Sequence, residues 1–505
     1  MDALDGLALG FAVALTAENM LFCLIGVVLG TLIGVLPGIG PVATIAMLLP
    51  LTYALTPVAA LIMLAGIYYG AQYGGSTTAI LVNLPGESSS VVTALDGYKL
   101  ARQGKAGRAL AVAAIGSFIG GTVGTLIVAA FAVPLAELAF KFGPAEYFSL
   151  MVLGLVGAVV LASGDPIKSV AMVLTGLLLA LVGIDQNSSL ARFSFDVPEL
   201  TDGIGFVVVA MAVFGIAEIV HNLERPEARG ASVAPVSTLW LRWAEFREAL
   251  PAILRGTGLG SVLGVLPGGG ALIASFAAYA LEKKIARDPS RFGQGAIEGV
   301  AAPESANNAG AQTSFVPLLV LGLPSNAVMA MMVGAMTIHS IVPGPQVISS
   351  NPALFWGLIA SMWIGNFMLI VLNLPMIGLW VKLLTVPYRL LFPAILMFCA
   401  VGLFTLNNNT FDIALLAVFA AVGLVLSRLG CELAPLLLGL ILGAPMELNL
   451  RRTLLISGGD WSVLVTRPIS AALLAGAAVL VLLIVFPAFR RTRQEAFADD
   501  STAKG

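Results

Sequence analysis

A strongly apolar chain that interrupts its own helices twice, with the same words, has few ways to fold. Residues 30–40 read GTLIGVLPGIG and residues 260–270 read GSVLGVLPGGG, each at the end of a long apolar run. Each is followed by a second interruption, YGGSTTAILVNLPGE at 73–87 and PESANNAGAQTSFVPLLVLGLPSN at 303–326. Gly and Pro inside an apolar segment stop helices and free backbone N–H and C=O groups. In a bilayer such groups are tolerated only where protein buries them or a cavity takes them up. Paired breaks in corresponding halves are a sequence pointer to a transporter's binding site. The repeat therefore predicts an architecture and a place for a site.

Composition sets the solvent. The chain is 58% hydrophobic and only 11% charged, with mean hydropathy +0.98. A soluble domain carries about 25% charged residues, so this chain reads as an all-α polytopic membrane protein. Apolar runs suited to a ~30 Å hydrocarbon core predict about ten to twelve crossings, and no alternating strands point to a barrel. The net charge of −2 gives no reason to expect nucleic acid as a partner. Asp2 and Asp5 stand where a cleavable signal would be basic, so the first segments are expected to be retained. Cys23, Cys399 and Cys431 lack metal-ligand spacing and read as small core residues, and His221 and His339 read as structural.

Residues 1–17 look like an interfacial lead-in. The first half, 1–220, is expected to have an apolar helix at 18–36, then 41–55 and 57–83 with breaks at Gly74-Gly75 and Leu84-Pro85-Gly86, then spans near 109–132, 146–162, 167–184 and 203–220. A polar cytoplasmic linker follows at 221–250. The second half, 251–489, repeats the plan, with broken segments near 252–283 and 296–340 and later spans including 432–445. A polar tail occupies 490–505. Basic residues mark cytoplasmic loops. They place Lys99, Arg102, Lys105 and Arg108, the linker, and Lys283 to Arg291 inside, and the acidic 185–202 loop outside. The halves then start on opposite sides, as in an inverted-topology repeat. Arg451, Arg452 and Arg467 resist this scheme, since parity puts them outside.

The interruptions carry the chemistry. The first half offers Gly38, Gly40, Gly74, Gly75, Ser76, Thr77, Thr78, Asn83, Pro85 and Gly86, with Glu87 beyond. The second offers Gly268, Gly269, Gly270, Asn307, Asn308, Gln312, Pro324, Ser325 and Asn326. Almost no Lys or Arg is available at membrane depth. Broken helices present N–H groups that bind anions, and hydroxyls extend the donor set. A carboxylate could thus be held without a buried cation. Asn oxygens and unwound carbonyls near Asn307 and Asn308 could hold Na⁺. Glu304, ionisable at membrane depth, is the first candidate for proton or cation coupling. Gly116, Gly120 and Gly124, spaced by four in an unbroken span, read as helix packing.

YGGSTTAILVNLPGE, PESANNAG and the doubled GVLPG motif, with DGYKLARQGKAGRAL at 96–110 and LISGGDWSVLVTRP at 455–468, resemble the large membrane subunit of the tripartite tricarboxylate transporters. The likeness runs along essentially the whole chain. It implies a translocation subunit of the bacterial inner membrane that works with a periplasmic substrate-binding protein and a small membrane subunit. It also implies import of citrate or a related carboxylate on a Na⁺ or H⁺ gradient, with no cofactor. Ser325 stands where relatives commonly carry Gly, which leaves the substrate open. A stand-alone carboxylate symporter, a channel, and an intramembrane hydrolase using Ser76 and His339 are the other readings. The duplicated half without a nucleophile argues against the last.

Overall fold

The computed structural model of the chain describes residues 2–36, 40–84, 86–162, 165–185, 188–217, 220, 236, 239, 241–266, 270–383 and 388–485. The first half supplies α1 (Ala3–Ala14), α2 (Ala17–Val35), α3 (Pro41–Leu48), α4 (Pro57–Val82), α5 (Val91–Leu100), α6 (Ala106–Ala139), α7 (Pro144–Leu161), α8 (Pro166–Leu179) and α9 (Phe206–Ile216). The second supplies α10 (Trp243–Val265), α11 (Gly270–Ile285), α12 (Glu298–Thr313), α13 (Ala327–Ile338), α14 (Pro352–Asn373), α15 (Tyr388–Asn407), α16 (Thr410–Arg428), α17 (Ala434–Ile456) and α18 (Pro468–Val485). Among the described residues the strands are a two-residue antiparallel pair, Gly183–Ile184 with Ala191–Arg192. Among the described residues, four stretches are long and apolar enough to cross a membrane: Ala17–Val35, Ser88–Ala139, Pro352–Asn373 and Thr410–Arg428. Shorter apolar helices accompany them. The chain is an all-α multi-pass membrane protein.

Small residues let its helices meet backbone to backbone, the usual way to pack helices where lipid is as apolar as leucine. Gly26, Gly30 and Gly34 of α2 lie against the carbonyls of Met63, Ile67 and Ala71 of α4; a Cβ on them would come within 2.3, 2.4 and 2.4 Å of those oxygens. Gly256, Gly260 and Gly264 of α10 meet the carbonyls of Ala302, Ala306 and Gly310 of α12 in the same way, at 2.4, 2.2 and 2.4 Å. The doubled glycine spacing therefore builds the same interlock twice. The spacing in α6 is packing too: Gly116, Gly120 and Gly124 face the carbonyls of Ala301, Ser305 and Ala309 on the other flank of α12.

The break read at Gly74-Gly75 is not one, whereas the one read at Leu84-Pro85-Gly86 stands just after the end of α4 at Val82. Gly74-Gly75-Ser76 lies inside α4, which runs unbroken to Val82. A Cβ at Gly74 would be 2.3 Å from the Thr31 carbonyl oxygen, so this glycine serves contact with α2 rather than a turn. PESANNAG is likewise helical, within α12. The chain turns at Asn83 (φ 57°) in the first half and at Gly322 (φ 73°) in the second, both left-handed. Leu-Pro follows each. Residues 1–17 include α1, whose Gly6 and Gly10 pack on Trp356 of α14, so this segment belongs to the helical body. The helix that opens the second half begins at Trp243, inside the stretch read as linker; residues 221–235 and the tail at 490–505 lie outside the described residues.

Ion pairs sort the loops. Arg108 meets Glu245 and Glu248, and Arg291 meets Glu248 and Glu298. The basic loop before α6 thus adjoins the start of α10 and the 283–298 connection. Buried Asp96 fastens this end: its Oδ1 accepts the backbone N–H groups of Gly293, Gly295 and Ala296 at 2.9, 2.7 and 2.8 Å, and its Oδ2 the hydroxyl of Tyr279 at 2.9 Å. A second set joins Arg192 to Glu447, Arg451 to Asp185 and Glu447, and Arg467 to Glu146. Residues 447–467 therefore gather with the 143–146 and 185–192 loops. The helix α17 continues to Ile456, eleven residues beyond the expected end at 445.

Candidate functional site: a cavity between the two interrupted segments

Helices that start after the breaks converge on one cavity of about 550 Å³, lined from both halves. Gly40 and Pro41 open α3, Gly270 and Ala271 open α11, Asn326 and Ala327 open α13, and Ala434 and Pro435 open α17. Glu87 and Ser88 lead into α5 on the same wall. Each helix start carries N–H groups without intrahelical partners and a partial positive charge. Among the described lining residues there is no Lys, Arg or His; the polar side chains are Tyr68, Gln72, Glu87, Ser88, Asn326 and Glu432. Asn326 accepts the Met329 N–H as the cap of α13, and its Nδ2 donates to the Tyr68 hydroxyl at 3.5 Å. Tyr68 and Gln72 stand one turn apart on α4, so one face of that helix reads the cavity.

Of the residues singled out in the sequence, Gly40, Gly86, Glu87, Gly270 and Asn326 line this cavity. Gly38, Pro85, Gly268 and Gly269 lie outside the described residues. Gly86 has no room for a side chain, since a Cβ there would be 1.7 Å from the Gly34 carbonyl oxygen. Its counterpart after the second break, Ser325, has room, and its hydroxyl donates to the Ser314 carbonyl at 3.3 Å, away from the lining. Pro324 is buried beside it. Asn83 serves as the left-handed end of α4, and Gly75 packs near the Glu87 backbone.

The remaining polar candidates form a second, buried network. Glu304 accepts from the hydroxyls of Ser76 and Thr93 in short hydrogen bonds, from Ser117 Oγ at 3.4 Å and from Asn307 Nδ2 at 3.3 Å. One carboxylate thus ties α4, α5, α6 and α12 together. Asn308 donates to Asn307 Oδ1 at 2.5 Å and to the Glu304 carbonyl at 3.1 Å. Thr77 and Thr78 return their hydroxyls to carbonyls one turn back, of Tyr73 and Gly74, and Thr78 also reaches Val35. Asn308 Oδ1 and both side-chain polar atoms of Gln312 are buried without a hydrogen-bond partner. Ser76, Thr77 and Ser117 also line a separate void of about 20 Å³ with Tyr73 and Asn373, room for about one water molecule. Sequence reasoning missed Tyr68, Gln72 and Glu432, whose place in the wall depends on tertiary packing.

Two matched helix pairs, each ending in a broken segment, and a cavity lined from both halves are the architecture expected of a membrane transport protein. The chain belongs to the tripartite tricarboxylate transporter TctA family, whose model matches residues 20–438. It is 57% identical over 500 residues to a protein of Agrobacterium vitis described as an uncharacterized 52.8 kDa protein in the TAR-I ttuC' 3' region, covering 99% of this chain and all of that one. A second protein of Agrobacterium vitis, described as an uncharacterized protein in the TAR-II ttuC' 3' region, is 58% identical over 241 residues, which cover 48% of this chain and all of that protein. No solved structure matches.

Proposed function

We propose that the chain is the large translocation subunit of a tripartite importer that carries citrate or a related carboxylate across the bacterial inner membrane. The observation that carries this reading is the cavity of about 550 Å³, rimmed by helix starts from both halves and lacking a basic side chain among its described lining residues. Its volume is in the range of small-molecule sites. Each helix start stabilises an anion by roughly 0.3–1 kcal/mol, more when partly buried, so several together replace a lysine or arginine.

A periplasmic binding protein delivers the anion and a small membrane subunit completes the assembly, as the family's tripartite name supports. A Na⁺ or H⁺ gradient supplies the driving force. The two interlocked helix pairs, α2 with α4 and α10 with α12, are the cores of two inverted repeats. Substrate passes inward when one repeat moves against the other. The hydrolase reading loses support because the Ser76 hydroxyl is engaged by Glu304, and His339 ends α13.

Reconstitution tests the proposal. Labelled di- and tricarboxylates are offered to proteoliposomes holding the chain with or without its two partners, under an imposed Na⁺ or proton gradient. Uptake that needs both partners and one gradient is the expected result. Uptake by the chain alone would make it an independent symporter, and no carboxylate movement in any combination would remove the substrate class.

A further inference from the structure

One arrangement in the cavity wall requires more protons than its side chains supply. Ser89 Oγ lies 2.6 Å from Gln72 Oε1 and also makes a short hydrogen bond with Glu87 Oε1. Glu87 Oε1 further accepts the Ser89 backbone N–H at 3.0 Å. A hydroxyl donates one proton, whereas an ionised carboxylate and an amide oxygen only accept. Three oxygens in a row need two protons between them, and Ser89 brings one. Turning the Gln72 amide over would let Nε2 donate to Ser89. It would also move the amide oxygen to the buried position where Nε2 now has no partner. In the observed orientation the amide oxygen is the Gln72 atom beside Ser89. The row is satisfied when Glu87 holds the second proton and donates to Ser89, which donates to Gln72.

We propose that Glu87 is a proton-binding site in the wall of the substrate cavity, and that its proton is the one carried with the anion. This rests on the carboxylate-transport reading. The proton enters Glu87 from water on the side to which the cavity opens and leaves to water on the other side with the anion; Ser89 and Gln72 hold the protonated form. The surroundings favour such a role. Tyr68 and Glu432 share the cavity with Glu87, and no described lining residue is cationic. On α11, which packs against residues 88–90, the titratable residues Tyr279, Glu282, Lys283 and Lys284 lie in its C-terminal half. On α5, Asp96 is engaged by residues 293–296, and Tyr98 and Lys99 lie towards the C-terminus. On α12, Glu298 pairs with Arg291, and Glu304 meets Ser76, Thr93, Ser117 and Asn307 away from the cavity lining. An anion entering the cavity would face an ionised Glu87 uncompensated, and protonation removes that repulsion.

The test measures binding of labelled succinate, malate and citrate to the full chain with its partner subunits between pH 7 and 9, together with accumulation and exchange in proteoliposomes. One linked proton makes affinity fall up to tenfold per pH unit above the Glu87 titration. In Glu87→Gln the fall disappears; the variant exchanges labelled for unlabelled anion but no longer concentrates it on a proton gradient. Should Glu87→Gln fail to fold, Ser89→Ala must move the pH at which affinity begins to fall, and an unmoved profile overturns the proposal. If the wild-type chain binds none of the probes, the carboxylate reading fails and the proposal falls with it. If it binds them and Glu87→Gln keeps the same pH dependence, the proton site alone is wrong.

Discussion

Two glycines on α10 separate contact from composition. Gly258 has open space where a Cβ would stand; Gly260, two residues on, would place its Cβ 2.2 Å from the Ala306 carbonyl oxygen and 2.7 Å from the Ala306 Cα. Gly→Ala gives both positions the same gain in helix propensity, up to about 1 kcal/mol, so that effect cancels in the comparison. Ordinary contact begins at 3.4 Å, so at Gly260 the two helices must part by 1.2 Å. The obstructing atoms are helical backbone, which cannot rotate aside. Overpacking of this kind costs about 1–3 kcal/mol. At roughly 2 °C per kcal/mol for a large chain, Gly260→Ala should melt about 2–6 °C below Gly258→Ala in detergent. Its transport should fall as well, because α12 carries the Glu304 network. Gly258→Ala should melt at or above the wild type. Equal melting temperatures for the two variants would refute the backbone-to-backbone packing of α10 on α12, and with it the matched interlock of the halves.

Three further predictions follow from named contacts. Asp96→Ala removes the acceptor for three backbone N–H groups and the Tyr279 hydroxyl; charge-assisted bonds contribute about 1.5–3 kcal/mol each, so trypsin should cut faster at Lys283, Lys284 and Arg287, with Asp96→Asn intermediate, and unchanged cleavage would contradict the role. Glu304→Ala should cost more stability than Glu304→Gln, because glutamine keeps an oxygen for one of the two hydroxyls of Ser76 and Thr93, whereas alanine removes both acceptors at about 1–3 kcal/mol for each stranded donor; equal thermal melts would show that the network contributes little. His339→Ala should leave uptake nearly unchanged, and loss of all activity in a folded protein would revive a catalytic role.

The parts of the fold legible in the sequence are those written in glycine and proline. GTLIGVLPGIG and GSVLGVLPGGG signal two equivalent helix ends, and the spacing of Gly116, Gly120 and Gly124 signals a packed face, because only glycine admits such close backbone approach. The same residue misleads at Gly74-Gly75, where it serves contact inside a continuous helix rather than a turn. Hydroxyls and amides mislead for a related reason. Thr77 and Thr78 satisfy themselves one turn back along α4 and Ser76 meets Glu304, so polar side chains did not require an unwound backbone. The cavity itself was partly legible: the breaks point to Gly40, Gly86, Gly270 and Asn326. Tyr68 and Gln72 were not, because they lie in an apolar helix whose inward face is set by packing against α2 and α13.

A carboxylate bound in the cavity at the helix starts must shield the residues that line it. Ala327, the first residue of α13, lines that cavity. The decisive measurement is the rate of thiol alkylation at Ala327→Cys, in a chain with Cys431 replaced by Ala, with and without a transported carboxylate. Ser349→Cys on the exposed 346–350 helix is the control. The carboxylate should slow labelling at 327 and leave 349 unchanged. Equal rates at 327 with and without a carboxylate that the same protein demonstrably transports would place the site elsewhere.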